Sequence, residues 1–122
     1  VLGDLLAPLQ KHPVAGKLAS LHYLVSNPPY IPDDEWPAVA PNVKNHEPHL
    51  ALRGGADGME FVRTVVRDGV ALLRPGGLLM VEIAASCAVE AQKLAGSTPG
   101  LVGAEIVRDF EGLPRVLSAR KG

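Results

Sequence analysis

The chain has 122 residues, 47% hydrophobic and 20% charged, and its net charge of −1 comes from 12 basic against 13 acidic side chains. That suits a single globular domain, and with no more than two basic residues adjoining, it excludes a dominant electrostatic grip on nucleic acid. A lone cysteine excludes an internal disulfide or thiolate cluster. The lack of a basic-then-apolar leader or a run near the ~20 apolar residues of a membrane span fits a reducing, cytoplasmic setting.

Val1-Leu2 before Gly3-Asp4 reads as the tail of a strand, so the chain is expected to begin inside a larger fold. Leu5 to Leu9 predicts a helical turn, and His12 to Ser20, broken by Pro13 and Gly16, a connector. Leu21 to Ser26 is apolar without alternation, the pattern of a strand covered on both faces. It runs into Asn27-Pro28-Pro29-Tyr30. Proline has no N–H and a fixed φ, so the pair can neither continue a ladder nor open an ordinary helical turn. It can hold carbonyls in fixed directions. An acceptor amide, rigid carbonyls and a ring face together suit a flat group that donates hydrogen bonds.

Pro32 to Gly58 is long, proline-rich and weakly periodic, the mark of a functional loop. Within it Trp36 is expected to pack the loop against the domain, and His46-x-x-His49 lacks the third ligand a metal site needs. Asp57-Gly58-Met59-Glu60 reads as a capping box ahead of a helix from Gly58 to Leu73, with Val62, Val65, Val66, Val70 and Leu73 as its buried stripe. Pro75-Gly76-Gly77 is expected to end the helix and turn the chain into a strand from Leu78 to Ile83, where Glu82 is expected to find a salt bridge or cap. Ser86 is placed to cap a helix running through Ala95, with Gly96 as its stop. Cys87 fits a small helix-start residue better than a nucleophile. Leu101 to Arg108 and Arg115 to Ala119 flank the short Asp109–Pro114 turn, which predicts an antiparallel pair. The alternation of strands and helices gives an α/β domain.

Asn27-Pro28-Pro29-Tyr30 after an apolar strand resembles the signature of S-adenosylmethionine-dependent methyltransferases that modify amino groups. Ser26, Ile31-Pro32, Glu47-Pro48, Ala51-Leu52, Gly54-Gly55 and Asp57-Gly58 are similar to the glutamine-N5 branch. Arg108-Asp109, Gly112 and Pro114-Arg115-Val116 are similar to its release-factor members, the HemK/PrmC family. The resemblance implies that residues 1–122 form the C-terminal half of a Rossmann-like class I catalytic domain. Its sheet would be mostly parallel and end in an antiparallel hairpin. The family's glycine-rich first strand and N-terminal helical domain would lie outside the chain, leaving the isolated half inactive.

The resemblance further implies S-adenosyl-L-methionine as cofactor, the Gly-Gly-Gln loop of a peptide-chain release factor as partner, and no membrane or direct nucleic-acid binding. It makes Asn27, Pro28 and Tyr30 catalytic, adds Pro29 to the substrate-binding set, and gives cofactor contacts to Asn27, Asp4 and Leu5. His22, Ala84 and Cys87 depart from the family pattern, which has an acidic residue, Gly and Gln there.

The motif's chemistry follows from the substrate. A carboxamide nitrogen is a poor nucleophile because its lone pair is delocalised into the carbonyl. If the Asn27 side-chain oxygen and the Pro28 carbonyl each accept one N–H, the nitrogen is aimed and cannot swing away. Tyr30 offers a flat face whose quadrupole tolerates a nearby cation, and its replacement by Phe is expected to be tolerated if only that face matters. Adenine-N6 methylation presents the same flat donor and stands as a second reading. A catalytically silent half-domain stands as a third.

Overall fold

The computed structural model describes residues 4–11 and 20–122. The readings of Val1-Leu2 and of the connector fall wholly or largely outside these residues. Four strands form one sheet: β1 (Leu21–Ser26), β2 (Leu73–Glu82), β3 (Leu101–Arg108) and β4 (Pro114–Lys121). Their spatial order is β1-β2-β4-β3. β1 and β2 run parallel, with Leu24 beside Leu79 and Ser26 beside Val81. The hairpin folds back so that β4 lies antiparallel between β2 and β3, pairing Val81 with Leu117 and Ile106 with Leu117. Among the described strands the parallel pairing is therefore confined to β1–β2, and the result is a mixed α/β fold.

Helix α3 (Glu60–Leu72) packs on the sheet through Val62, Val65, Val66 and Leu72, all essentially buried. Its Gly69 rests directly on Leu24, with Leu79 near by, which fixes the covered face as that of Leu24, Leu79, Val81 and Leu117. α4 (Ala88–Ser97) continues the layer through Ala91 and Ala95. The valine stripe predicted this packing, except that Val70 is only partly buried and Leu73 belongs to β2.

The other face is open. Tyr23 is 69% and Val25 70% exposed, so β1 is not the doubly covered strand its sequence predicted. β1 lies at the edge of the described sheet, and no described helix packs over these two side chains. The unbroken apolar run reported the chemistry of both faces but not what covers them.

Local corrections have equally simple causes. The early helical turn becomes α1 (Ala7–Lys11), two residues later than expected. The long loop is not structureless: it folds into a 3-10 turn at Trp36–Ala38, the short α2 (Pro41–His46) and a second 3-10 turn at His49–Ala51. Pro75-Gly76-Gly77 does not separate helix from strand. It sits inside β2, where the register jumps from Leu21 beside Leu73 to Tyr23 beside Leu78. A bulge absorbs the extra residues while pairing resumes beyond it.

Asp57 does not cap α3 with Glu60 in return. The cap position is Met59, whose N–H donates to Asp57 Oδ1 at 3.0 Å, and Asp57 also pairs with Arg63. Ser86 caps nothing either: its hydroxyl donates to Glu35 Oε1 at 2.7 Å. α4 runs through Gly96 to Ser97, so that glycine is not a stop.

Candidate active site

The end of β1 and the long loop build the site together. As the chain leaves β1, Ile31 N–H donates to Leu52 O at 2.9 Å, and Gly54 N–H donates back to Ile31 O at 2.9 Å. Asp33 N–H donates to Gly55 O at 3.0 Å, and the Arg53 guanidinium pairs with Asp33 at 2.7 Å. Two segments twenty residues apart thus zip into a short parallel bridge. Trp36 tightens the loop against itself. Its ring meets His49 edge-on at 4.8 Å, and Lys44 and Arg53 each lie 5.4 Å from its centroid. This occupies His49 structurally, and no cluster able to hold a metal occurs among the described residues.

The loop stands away from Asn27-Pro28-Pro29-Tyr30 just enough to leave a cavity of about 250 Å³. Asn27, Pro28, Tyr30, Ile31, Glu47, Ala51 and Leu52 line it. Asn27 is exposed, and no hydrogen bond to its side chain is present among the described residues, so its amide does not act there as a turn cap. It also borders a smaller cavity of about 120 Å³ that includes Glu82 and Val116. Three of the four motif residues therefore meet at one cavity. Pro29 does not line it, and its carbonyl is turned toward Gly54. Asp4 is exposed and Leu5 half-buried in a left-handed conformation with φ +46°, and neither borders either cavity.

The downstream signature divides into two roles. Glu47 lines the cavity, whereas Gly54 and Gly58 lie against the backbone of Tyr30. A Cβ on Gly54 would stand 2.7 Å from Tyr30 Cα, and one on Gly58 would stand 2.5 Å from Tyr30 O. Only hydrogen fits at either place.

Tyr30 carries a feature that spacing in the sequence does not disclose. Its hydroxyl donates to Glu82 Oε1 at 2.6 Å, across 52 residues of chain. Burial, reinforced by the Glu82 hydrogen bond and charge, pushes the phenol up to about 12, with the nearby Arg115 pulling the other way. Glu82 is thus satisfied by a phenol rather than by the salt bridge or cap expected of it. Arg115 is drawn into an ion pair with Asp109 at 3.0 Å. Glu82, Asp109 and Arg115 each stand out in the sequence, but their coming together does not, because each belongs to a different element. For Glu82 the signal is a carboxylate at the carboxyl end of an apolar strand.

Cys87 is buried, its thiol donates to Asp57 O at 3.2 Å, and burial pushes its pKa up. In the native protein at pH 8, iodoacetamide is therefore expected to label it at least about tenfold more slowly than in urea. Equal rates, followed by mass spectrometry, would show the thiol to be accessible.

No family model matches the chain. Over 99 residues, 80% of the chain, it is 43% identical to a Cereibacter sphaeroides protein named release factor glutamine methyltransferase, covering 34% of that protein. Proteins of the same name from Bradyrhizobium diazoefficiens and Streptomyces coelicolor are each 41% identical over 98 residues, which is 33% and 35% of their lengths. The chain spans about a third of the length of the curated relatives it matches.

Proposed function

We propose that the chain, 41–43% identical to proteins named release factor glutamine methyltransferase over about a third of their length, forms the amide-binding side of a glutamine-N5 methyltransferase. The protein substrate is the Gly-Gly-Gln loop of a peptide-chain release factor. The observation that carries this reading is the convergence of Asn27, Pro28 and Tyr30 on one cavity large enough for a glutamine side chain.

In this reading the Asn27 side-chain oxygen and the Pro28 carbonyl each accept one carboxamide N–H. Two acceptors on a rigid corner fix the nitrogen in position and in rotation. That spends binding on aim rather than on ground-state affinity. Tyr30 presents its ring to the planar amide as a neutral surface, because its phenol stays protonated far above neutral pH. One of the two accepted hydrogens is the proton that alkylation releases, and water at the exposed Asn27 can take it. No side chain is required as a strong base.

S-adenosylmethionine is the methyl donor implied, and its sulfonium supplies an electrophilic methyl group when bound. The described residues fit it at the methyl end, where the exposed Asn27 amide borders both cavities. They offer no further contact there from Asp4 or Leu5. Asn27 would hold that end.

The test is transfer of labelled methyl from S-adenosylmethionine by the intact protein to a release factor. A Gln→Ala variant of its Gly-Gly-Gln loop serves as control, and adenine-containing DNA as competitor. Label is expected on the glutamine of the unaltered factor alone. Label on DNA with none on the factor would overturn the reading in favour of adenine-N6 transfer.

A further inference from the structure

Tyr30 is fixed at both ends, and its far end leads away from the cavity. Its backbone is pressed by Gly54 and Gly58, while its hydroxyl reaches Glu82 at the carboxyl end of β2. Glu82 lies directly across from Val116 on β4, beside Arg115. The Arg115 carbonyl accepts Ile83 N–H at 3.0 Å, which locks the two strand ends together. Asp109 serves two masters with separate oxygens. Its Oδ1 accepts Glu111 N–H at 2.9 Å and Leu113 N–H at 3.0 Å to shape the hairpin turn. Its Oδ2 accepts Arg115 Nε at 3.2 Å and Nη2 at 3.0 Å.

We propose that Glu82, attracted by an Arg115 that Asp109 holds in place, is a positioning residue that fixes where the Tyr30 ring sits against the substrate carboxamide. This rests on the reading that the ring faces that amide. The physical argument is one of lever length. A tyrosine held only at its backbone swings about two side-chain torsions, so its ring edge wanders by ångströms. A short bond at the para position pins the first torsion, and biases the second through the preference of the phenol O–H for the ring plane. Aim at the reacting nitrogen is what this site supplies, and a displacement of about 1 Å costs on the order of a hundredfold in rate. A carboxylate acceptor makes the bond strong, because a charged acceptor binds a hydroxyl about twice as tightly as a neutral one. Arg115 lies near enough for its charge to attract that carboxylate, although no salt bridge joins the two. Arg115 is held in turn, its charge stabilised first by Asp109 and further by Glu82.

Two measurements in the intact protein test this. The first needs no substrate: the tyrosinate absorbance titration of the unaltered protein minus that of its Tyr30→Phe variant isolates Tyr30, whose phenol is pushed up to about 12. Glu82→Gln keeps the shape, removes the charge, and is expected to lower the Tyr30 titration by about one unit or more. The second is kinetic. Glu82→Ala is expected to lower kcat about 10- to 100-fold with KM for the release factor within about threefold. Asp109→Asn keeps the turn-forming oxygen and frees Arg115, and is expected to lower kcat about three- to tenfold with the melting temperature unchanged. Tyr30→Phe combined with Glu82→Ala is expected to be no worse than the poorer single variant, since both remove the same bond.

An unmoved Tyr30 titration, a kcat within threefold in Glu82→Ala, or single effects that multiply would each overturn the proposal. Failure of the unaltered protein to methylate glutamine would instead count against the function, and it would show before any variant was compared. The titration would still decide whether Glu82 holds Tyr30.

Discussion

Replacing Asn27 by Ala in the intact protein is expected to lower kcat for release-factor methylation by about 10²- to 10³-fold, with KM changed by less than about threefold. The size follows from what single hydrogen-bonding groups contribute when aimed at a reacting centre in a preorganised site. The split between kcat and KM follows from the division of labour at the cavity. In the proposed reading a protein substrate is bound over a wide surface and meets Asn27 only at the reacting amide, so the loss of Asn27 is felt in the transition state. Stability is a poor explanation for such a fall, because Asn27 is exposed and its side chain makes no hydrogen bond among the described residues. Thermal unfolding is expected to shift by no more than about 2 °C, as for surface substitutions of small effect. A kcat loss below tenfold, or a loss wholly in KM, would remove Asn27 from the reaction and the two-acceptor scheme with it.

How much of this was legible beforehand depends on the range over which each signal acts. Leu21 to Ser26 and Leu78 to Glu82 declared themselves as strands because an apolar run reports local burial. The valine stripe from Val62 to Val66 declared α3 for the same reason. Asn27-Pro28-Pro29-Tyr30 was legible because its chemistry is carried by adjacent residues. Its neighbours failed where two local solutions compete. Asp57 can serve as a cap or as an acceptor two residues earlier, and the Arg63 pair accompanies the second. Ser86 can cap α4 or reach Glu35, and the contact across 51 residues is the one formed. The Tyr30–Glu82 bond lay beyond any pattern of spacing, because it depends on β1 pairing with β2, which brings the segment after β1 beside the end of β2. Pro29 shows the limit from the other side. A contiguous motif suggests a contiguous surface, yet its carbonyl is turned away toward Gly54.

That inward turn gives the second large effect, expected at Gly54. A methyl group there would stand 2.7 Å from Tyr30 Cα, and 2.9 Å from both Gly58 O and Pro29 O. All three are backbone atoms, so no side chain can rotate to make room. Either the Pro29–Tyr30 corner or the loop must move. Forced overpacking of this kind costs about 1–3 kcal/mol. In a region already tied by the reciprocal Ile31–Leu52 and Gly54–Ile31 hydrogen bonds, the displacement carries into the cavity lining. Gly54→Ala is therefore expected to lower stability by about 2 kcal/mol in urea titrations and to lower kcat by about 100-fold in protein that remains folded. Gly58→Ala adds backbone strain at φ +74° to a contact of 2.5 Å with Tyr30 O, and is expected to be at least as damaging. The control is Gly96, in α4 with nothing within 4 Å. Alanine there is expected to stabilise by roughly 0.5–1 kcal/mol through helix propensity alone. If Gly54→Ala proved as harmless as Gly96→Ala, the loop would not be the mould that shapes the Tyr30 corner, and the cavity's form would need another origin.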